Sequence, residues 1–275
     1  MTEILLLTLK ISVGAVIFAI GLGARLSHLT YLWRRPALLL RALIAMYLGV
    51  PLVAIIMVKV LHLPPGVEVG FLVLAVSAGA PLLPRKLVGI GRDEFVFSLV
   101  FTSTLLAIFT VPAWLAVLGP QFGSPAHLAP KQVSLIFAKS FFLPLLAGMV
   151  MGRLFPGLAA RSRARLMGLS LILLAACALL LLVLHWRVIA QVHWQGILAL
   201  AVFTLCALAI GHGLGGPAPE DRTALAIACA TRHIGIAALV AASLPGPKTA
   251  VIIVVYILTA GLIAIPYLRW RRLAQ

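Results

Sequence analysis

The chain has 275 residues, of which 63% are hydrophobic and only 10% charged, with a formal net charge of +16. Its mean hydropathy is +1.17, whereas a soluble domain is about 45–50% apolar and about 25% charged. Too little charge is present to cover a globular surface in water, so the composition excludes an ordinary soluble enzyme and points to an all-α polytopic membrane protein. The positive balance is not a nucleic-acid signature. Most Lys and Arg fall in short clusters between apolar runs, with no basic-aromatic surface among them. The expected partner is therefore the lipid bilayer and not nucleic acid.

A membrane span needs about 20 apolar residues at about 1.5 Å per residue. Nine segments qualify in chain order: 3–24, 37–61, 67–92, 94–118, 132–154, 166–186, 190–213, 221–243 and 248–268. The first has no basic flank and no small-residue cleavage site, so it reads as a span and not a cleaved signal. Turn-forming residues punctuate the connections at Pro64-Pro65-Gly66, Gly119-Pro120, Pro156-Gly157, Gly215-Gly216-Pro217 and Pro245-Gly246-Pro247. No soluble domain is inserted between them.

The 22 Lys and Arg orient these spans. Twelve (Arg25, Arg34, Arg35, Arg92, Arg153, Arg161, Arg163, Arg165, Arg222, Arg269, Arg271 and Arg272) fall on one side, and three (Lys131, Arg187 and Lys248) on the other. The richer side is expected to be cytoplasmic. That places the N-terminus outside and the C-terminus in the cytoplasm, as an odd number of spans requires. Compact loops and the absence of a targeting extension suit a bacterial inner membrane.

The third and eighth segments differ from the rest. The third carries Pro81 and Pro84 and then Arg85 and Lys86; the eighth carries Arg232 and His233 at its middle. Proline removes a backbone donor and clashes with the preceding turn. A helix broken at membrane depth is tolerated only where the freed backbone is buried in protein or lines a cavity. Counted from the inner ends of their spans, Arg85 and Arg232 lie roughly 12–16 Å deep, near the midplane of a core about 30 Å thick. Two antiparallel interrupted helices with polar groups at mid-depth are the sequence signature of a transport site.

A mid-membrane arginine needs a partner, since it costs about 2.5–3.5 kcal/mol on insertion scales. All six acids, Glu3, Glu68, Asp93, Glu94, Glu220 and Asp221, lie at span ends. The remaining partners for Arg85, Lys86 and Arg232 are opened backbone carbonyls, water or an anionic substrate. His233 could change charge near neutral pH, or simply bridge helices. Ser98, Thr102, Ser103 and Thr104 make the fourth span rich in hydroxyls, which serve helix packing or a site. Lys59 and Lys139 are close enough to span ends to snorkel, and His212, Trp186 and Trp194 suit an interfacial belt. Cys177, Cys206 and Cys229 sit singly in apolar stretches with neither metal nor disulfide spacing. The acidic pairs Asp93-Glu94 and Glu220-Asp221 are adjacent residues, so neither pair faces itself across a helix, and no catalytic cluster emerges. Alternating-access transport is the expectation, with a channel or membrane scaffold as the other reading.

Five stretches carry a resemblance: IGLGARLSHL, RRPALLLRALIAMYLGVPLVA, VEVGFLVLAVSAGAP, EFVFSLVFTST and ALAIACATRHIGIAAL. In order, spacing and depth they resemble the bile acid:sodium symporter family. The resemblance implies inverted helical repeats with two discontinuous helices crossing near the substrate and sodium sites. Here it implies nine helices, with a core of residues 37–118 and 190–268 and a panel of residues 1–36 and 132–187.

The same resemblance implies where sodium ligands should be. The family's Ser and Asn at the first break correspond to Pro84 and Arg85, and its Glu and Gln on the second crossing helix to Ala228 and Arg232. A further Gln corresponds to Met46, and only the hydroxyls of Ser98 and Thr102 persist. Two hydroxyls do not make a sodium site, so no cofactor or coupling sodium is expected. Arg85, Lys86, Arg232, His233, Ser98 and Thr102 are the expected substrate-binding residues, for a small organic anion. Ordinary sodium symport with backbone ligands is the alternative.

Overall fold

The computed structural model describes residues 2–24, 26–61, 63, 65–78, 91–118, 135, 138–184, 186, 194–233, 237 and 248–274. Among these residues every regular element is helical: α1 (Thr2–Gly21), α2 (Leu26–Leu29), α3 (Pro36–Leu61), α4 (Pro65–Val76), α5 (Asp93–Leu118), α6 (Leu143–Leu154), α7 (Pro156–Leu184), α8 (Trp194–Leu214), α9 (Pro219–Ala230) and α10 (Lys248–Leu273). Pro36–Leu61, Glu94–Leu118, Trp194–Leu214 and Val251–Leu273 are long and apolar enough to cross a membrane. Leu48, Leu52, Ile56 and Val60 are exposed at every fourth position of α3, as are Leu146 and Val150 on α6. Apolar stripes turned outward are stable only against lipid.

Prolines shape the helices. Pro36, Pro156 and Pro219 open α3, α7 and α9 in the first turn, where a missing N–H is harmless. Pro51 lies inside α3 and would press on the carbonyl four residues earlier. The turn before it, Ile44–Gly49, is widened into a π-helix that makes room. Pro144 follows a second π-helical turn, Ala138–Phe142, in the same way.

Two boundaries differ from the sequence expectation. The fifth and sixth expected spans are separated by one non-helical residue, Phe155 (φ −129°, ψ 66°), and α7 starts at Pro156, ten residues earlier than 166. Arg161, Arg163 and Arg165 therefore stand on a helix and not in a loop, because the proline that ends α6 is also the preferred first residue of α7. The third segment stops being helical after Val76, ahead of Pro81.

Small residues set the packing, as expected where lipid is as apolar as leucine. Gly148 and Gly152 form a G-x-x-x-G pair on α6 that lies against Gly21 and Leu22 at the end of α1. A Cβ on Gly148 would fall 2.3 Å from the Phe18 carbonyl, and one on Gly152 would fall 2.5 Å from the Leu22 carbonyl. α1 thus packs with α6 and α7. In the other group, α8 lies against α9, α10 and α3, and α4 against α3, α5 and α10. An aromatic seam from Phe71 (α4) through Phe203 (α8) to Tyr256 (α10), with centroids 5.4 and 5.9 Å apart, fills the centre of this second group.

Candidate functional site

The site forms where α4 and α9 both end inside the protein. α9 breaks at Thr231, which is extended (φ −106°, ψ 104°) while its N–H and hydroxyl both still bond to the Ile227 carbonyl. The chain then turns Arg232 and His233 toward the end of α4. A helix C-terminus leaves its last carbonyls unpaired and carries partial negative charge. Arg232 answers both needs: its Nε donates to the Leu74 carbonyl at 2.8 Å and its Nη2 to the Ala75 carbonyl. The backbone N–H of His233 donates to the Ser77 carbonyl at 2.9 Å. Both side chains are buried, Arg232 with 3% of its surface exposed.

One guanidinium nitrogen, Nη1 of Arg232, is buried and has no hydrogen-bond partner among the described residues. No carboxylate reaches it; among the described residues the one ion pair joins Arg92 to Glu220. Tyr256, Cys229 and Tyr47, all buried, belong to the electrostatic surroundings of the arginine. Both tyrosine hydroxyls are already committed, Tyr47 to the Ser103 carbonyl at 2.6 Å and Tyr256 to the Ala230 carbonyl. A guanidinium nitrogen that no described group satisfies can take one anionic oxygen in a charge-assisted bond.

Sequence reasoning singled out Arg232 and His233, and the structure brings them together with α4. Arg85 and Lys86 lie outside the described residues. Ser98 and Thr102 turn to a different neighbour. The Ser98 hydroxyl accepts from the Leu32 N–H at 2.9 Å and donates to the Leu29 carbonyl at 2.8 Å, while Thr102 accepts from the Trp33 indole at 3.1 Å. These hydroxyls fasten the segment after α1 to α5. Tyr47 and Tyr256 went unnoticed, although a phenol in mid-span is rare enough to be a signal: the chain has only four tyrosines.

At the arginine-rich helix ends, Tyr31 receives Arg92 Nη1 at 2.6 Å and also Arg35, whose guanidinium lies 4.2 Å from the ring centroid. Arg92 reaches Glu220 of α9 at 4.0 Å. Asp221 beside it is buried, and its Oδ1 has no hydrogen-bond partner among the described residues.

Residues 10–192 match the Sodium Bile acid symporter family. No curated protein matches the chain. The matched region includes most of α1 and all of α2–α7, and ends before Arg232.

Proposed function

Because this chain belongs to the sodium bile acid symporter family, whose members are membrane transporters, we propose that it carries small organic anions across the membrane by alternating access without sodium. The observation that carries this reading is the buried Nη1 of Arg232, without a partner among the described residues, where the ends of α4 and α9 meet. Arginine stays ionised and offers a planar fork matched to carboxylate or sulfonate. In this proposal the tethered cation takes the place of a bound one and attracts the substrate by its charge.

Three features support the loss of sodium. Ala228 is buried and brings no side-chain oxygen, and Met46 brings only a thioether. Leu74 and Ala75 present the carbonyls that could otherwise coordinate a cation, and Arg232 already bonds them. The Ser98 and Thr102 hydroxyls are engaged by the 29–33 segment. Sodium-coupled symport with backbone ligands, the alternative, would require Arg232 to leave.

The remaining parts of the proposal follow the family architecture. Nine spans form inverted repeats, with the N-terminus outside and the C-terminus in the cytoplasm of a bacterial inner membrane. The panel comprises residues 1–36 and 132–187, and the core comprises 37–118 and 190–268; the grouping of α1 with α6 and α7 supports that division. Arg85 and Lys86 would supply further positive charge at the first break, and His233 would couple protons. Ser98 and Thr102 would hold panel and core together in one state and release on transport.

The test is thermal stability of the purified protein with a panel of organic anions in NaCl and, separately, KCl. A ligand that binds the native state raises the melting temperature by mass action. Equal stabilisation in both salts supports the proposal; stabilisation only with sodium refutes it.

A further inference from the structure

Away from the helix breaks, α1, α6 and α7 enclose a cavity of about 670 Å³ at one end of the molecule. It opens where three helices change direction together: α1 ends at Gly21, α6 ends at Leu154 and α7 begins at Pro156. Helix ends of this kind mark the boundary between hydrocarbon and headgroups. Its mouth is lined by Arg153 and Arg163, and its inner wall by Leu146, Met149 and Val150. Leu146 lies seven residues before Arg153 on α6, so the apolar wall reaches roughly 10 Å deeper than the charged mouth. Leu146 and Val150 are also 51% and 57% exposed, so the wall continues onto the lipid-facing surface of α6.

Arg163 is seated deliberately. Its guanidinium lies across Gly23, where even a methyl group would fall 2.3 Å from Nη1. Neither Arg153 nor Arg163 has a hydrogen bond or ion pair among the described residues. No acid occurs from residue 95 to residue 219, so neither α6 nor α7 carries one. Two uncompensated guanidinium groups over an apolar slot that opens sideways to lipid complement a molecule with an anionic phosphate head and an acyl tail.

We propose that this cavity is a binding site for an anionic phospholipid, with the phosphate held by Arg153 and Arg163 and the start of an acyl chain lying along Leu146, Met149 and Val150. The site is distinct from the α4–α9 meeting point and does not depend on the transport reading. An occupant there would tie α1 to the α6–α7 corner.

Native mass spectrometry of the full-length protein in a neutral detergent tests this, with phosphatidylglycerol, phosphatidylcholine and soluble glycerol phosphate titrated separately. We expect phosphatidylglycerol to bind at concentrations on the order of tenfold lower than phosphatidylcholine, with glycerol phosphate neither binding nor competing. The double variant Arg153→Gln/Arg163→Gln should lose that tenfold preference, whereas Arg161→Gln/Arg165→Gln, outside the cavity on the same helix, should keep it. Equal binding of the two lipids overturns the proposal, and this comparison needs no variant to fold. Binding of glycerol phosphate as tight as that of the lipid identifies a soluble-anion site instead. An equal loss in both double variants reduces the effect to diffuse surface charge.

Discussion

Arg232 donates its Nε to the Leu74 carbonyl across 2.8 Å, joining residues 158 positions apart in the chain. A side chain at the break of one helix thereby caps the end of another. The same bond fixes the guanidinium so that Nη1 points where neither helix supplies a partner.

Arg232→Ala is therefore expected to abolish stabilisation by organic anions in melting experiments while leaving a folded, monodisperse protein. The Ala75 carbonyl loses this donor, at about 1–3 kcal/mol if it stays dry, while the Leu74 carbonyl keeps the Ser77 N–H. Removal of an incompletely paired buried charge offsets part of that. Arg232→Lys should recover some anion binding but less than the wild type, because an ammonium lacks the fork that serves two carbonyls and a ligand at once. An Arg232→Ala protein that is stabilised as strongly as the wild type would remove this residue from the binding site.

Ser98→Ala should be more damaging than Thr102→Val. The first leaves the buried Leu32 N–H and Leu29 carbonyl without their partner, a loss of roughly 2–4 kcal/mol. The second removes one bond from an indole whose residue is 51% exposed and can bond to water or headgroups, a loss of under about 1 kcal/mol. Comparison of melting temperatures of the two variants checks the order, and a Thr102→Val protein as unstable as Ser98→Ala would contradict it.

Gly148→Leu should prevent α1 from reaching α6, since its first side-chain carbon already falls 2.3 Å from the backbone oxygen of Phe18. Backbone separation of this kind costs at least about 1–3 kcal/mol. Gly168→Ala, with open space around it, should be tolerated or slightly stabilising. The yield of monodisperse protein after extraction distinguishes the two, and a well-behaved Gly148→Leu variant would disprove the close contact.

Glu220→Gln should have little effect at physiological salt. Its 4.0 Å pair with Arg92 joins side chains 42% and 36% exposed, and such pairs contribute about 0–1 kcal/mol. Tyr31→Phe should cost more, because one hydroxyl accepts from both Arg92 and Arg35. Melting curves recorded from low to high salt should show the wild type and Glu220→Gln converging, with Tyr31→Phe remaining lower throughout.

The local chemistry of the chain was enough to place most helices, to put Arg232 and His233 at an interruption, and to leave every carboxylate at the end of an apolar segment, away from them. Those features follow from residue type and from the length of helix a bilayer demands. What the sequence could not supply was the identity of partners. The carbonyls that hold Arg232 belong to an apolar stretch with no mark of its own, because any helix end exposes carbonyls and only packing selects which. Ser98 and Thr102 looked alike as site residues for the same reason, until the 29–33 segment claimed their hydroxyls. Arg153 and Arg163 read as two of many basic residues at a span end. Gly148 and Gly152 let the backbones of α1 and α6 approach closely, and Gly23 leaves room for the Arg163 guanidinium at the cavity. Periodicity and composition report the environment each side chain needs, whereas the contact that meets the need depends on helices brought together from distant parts of the chain.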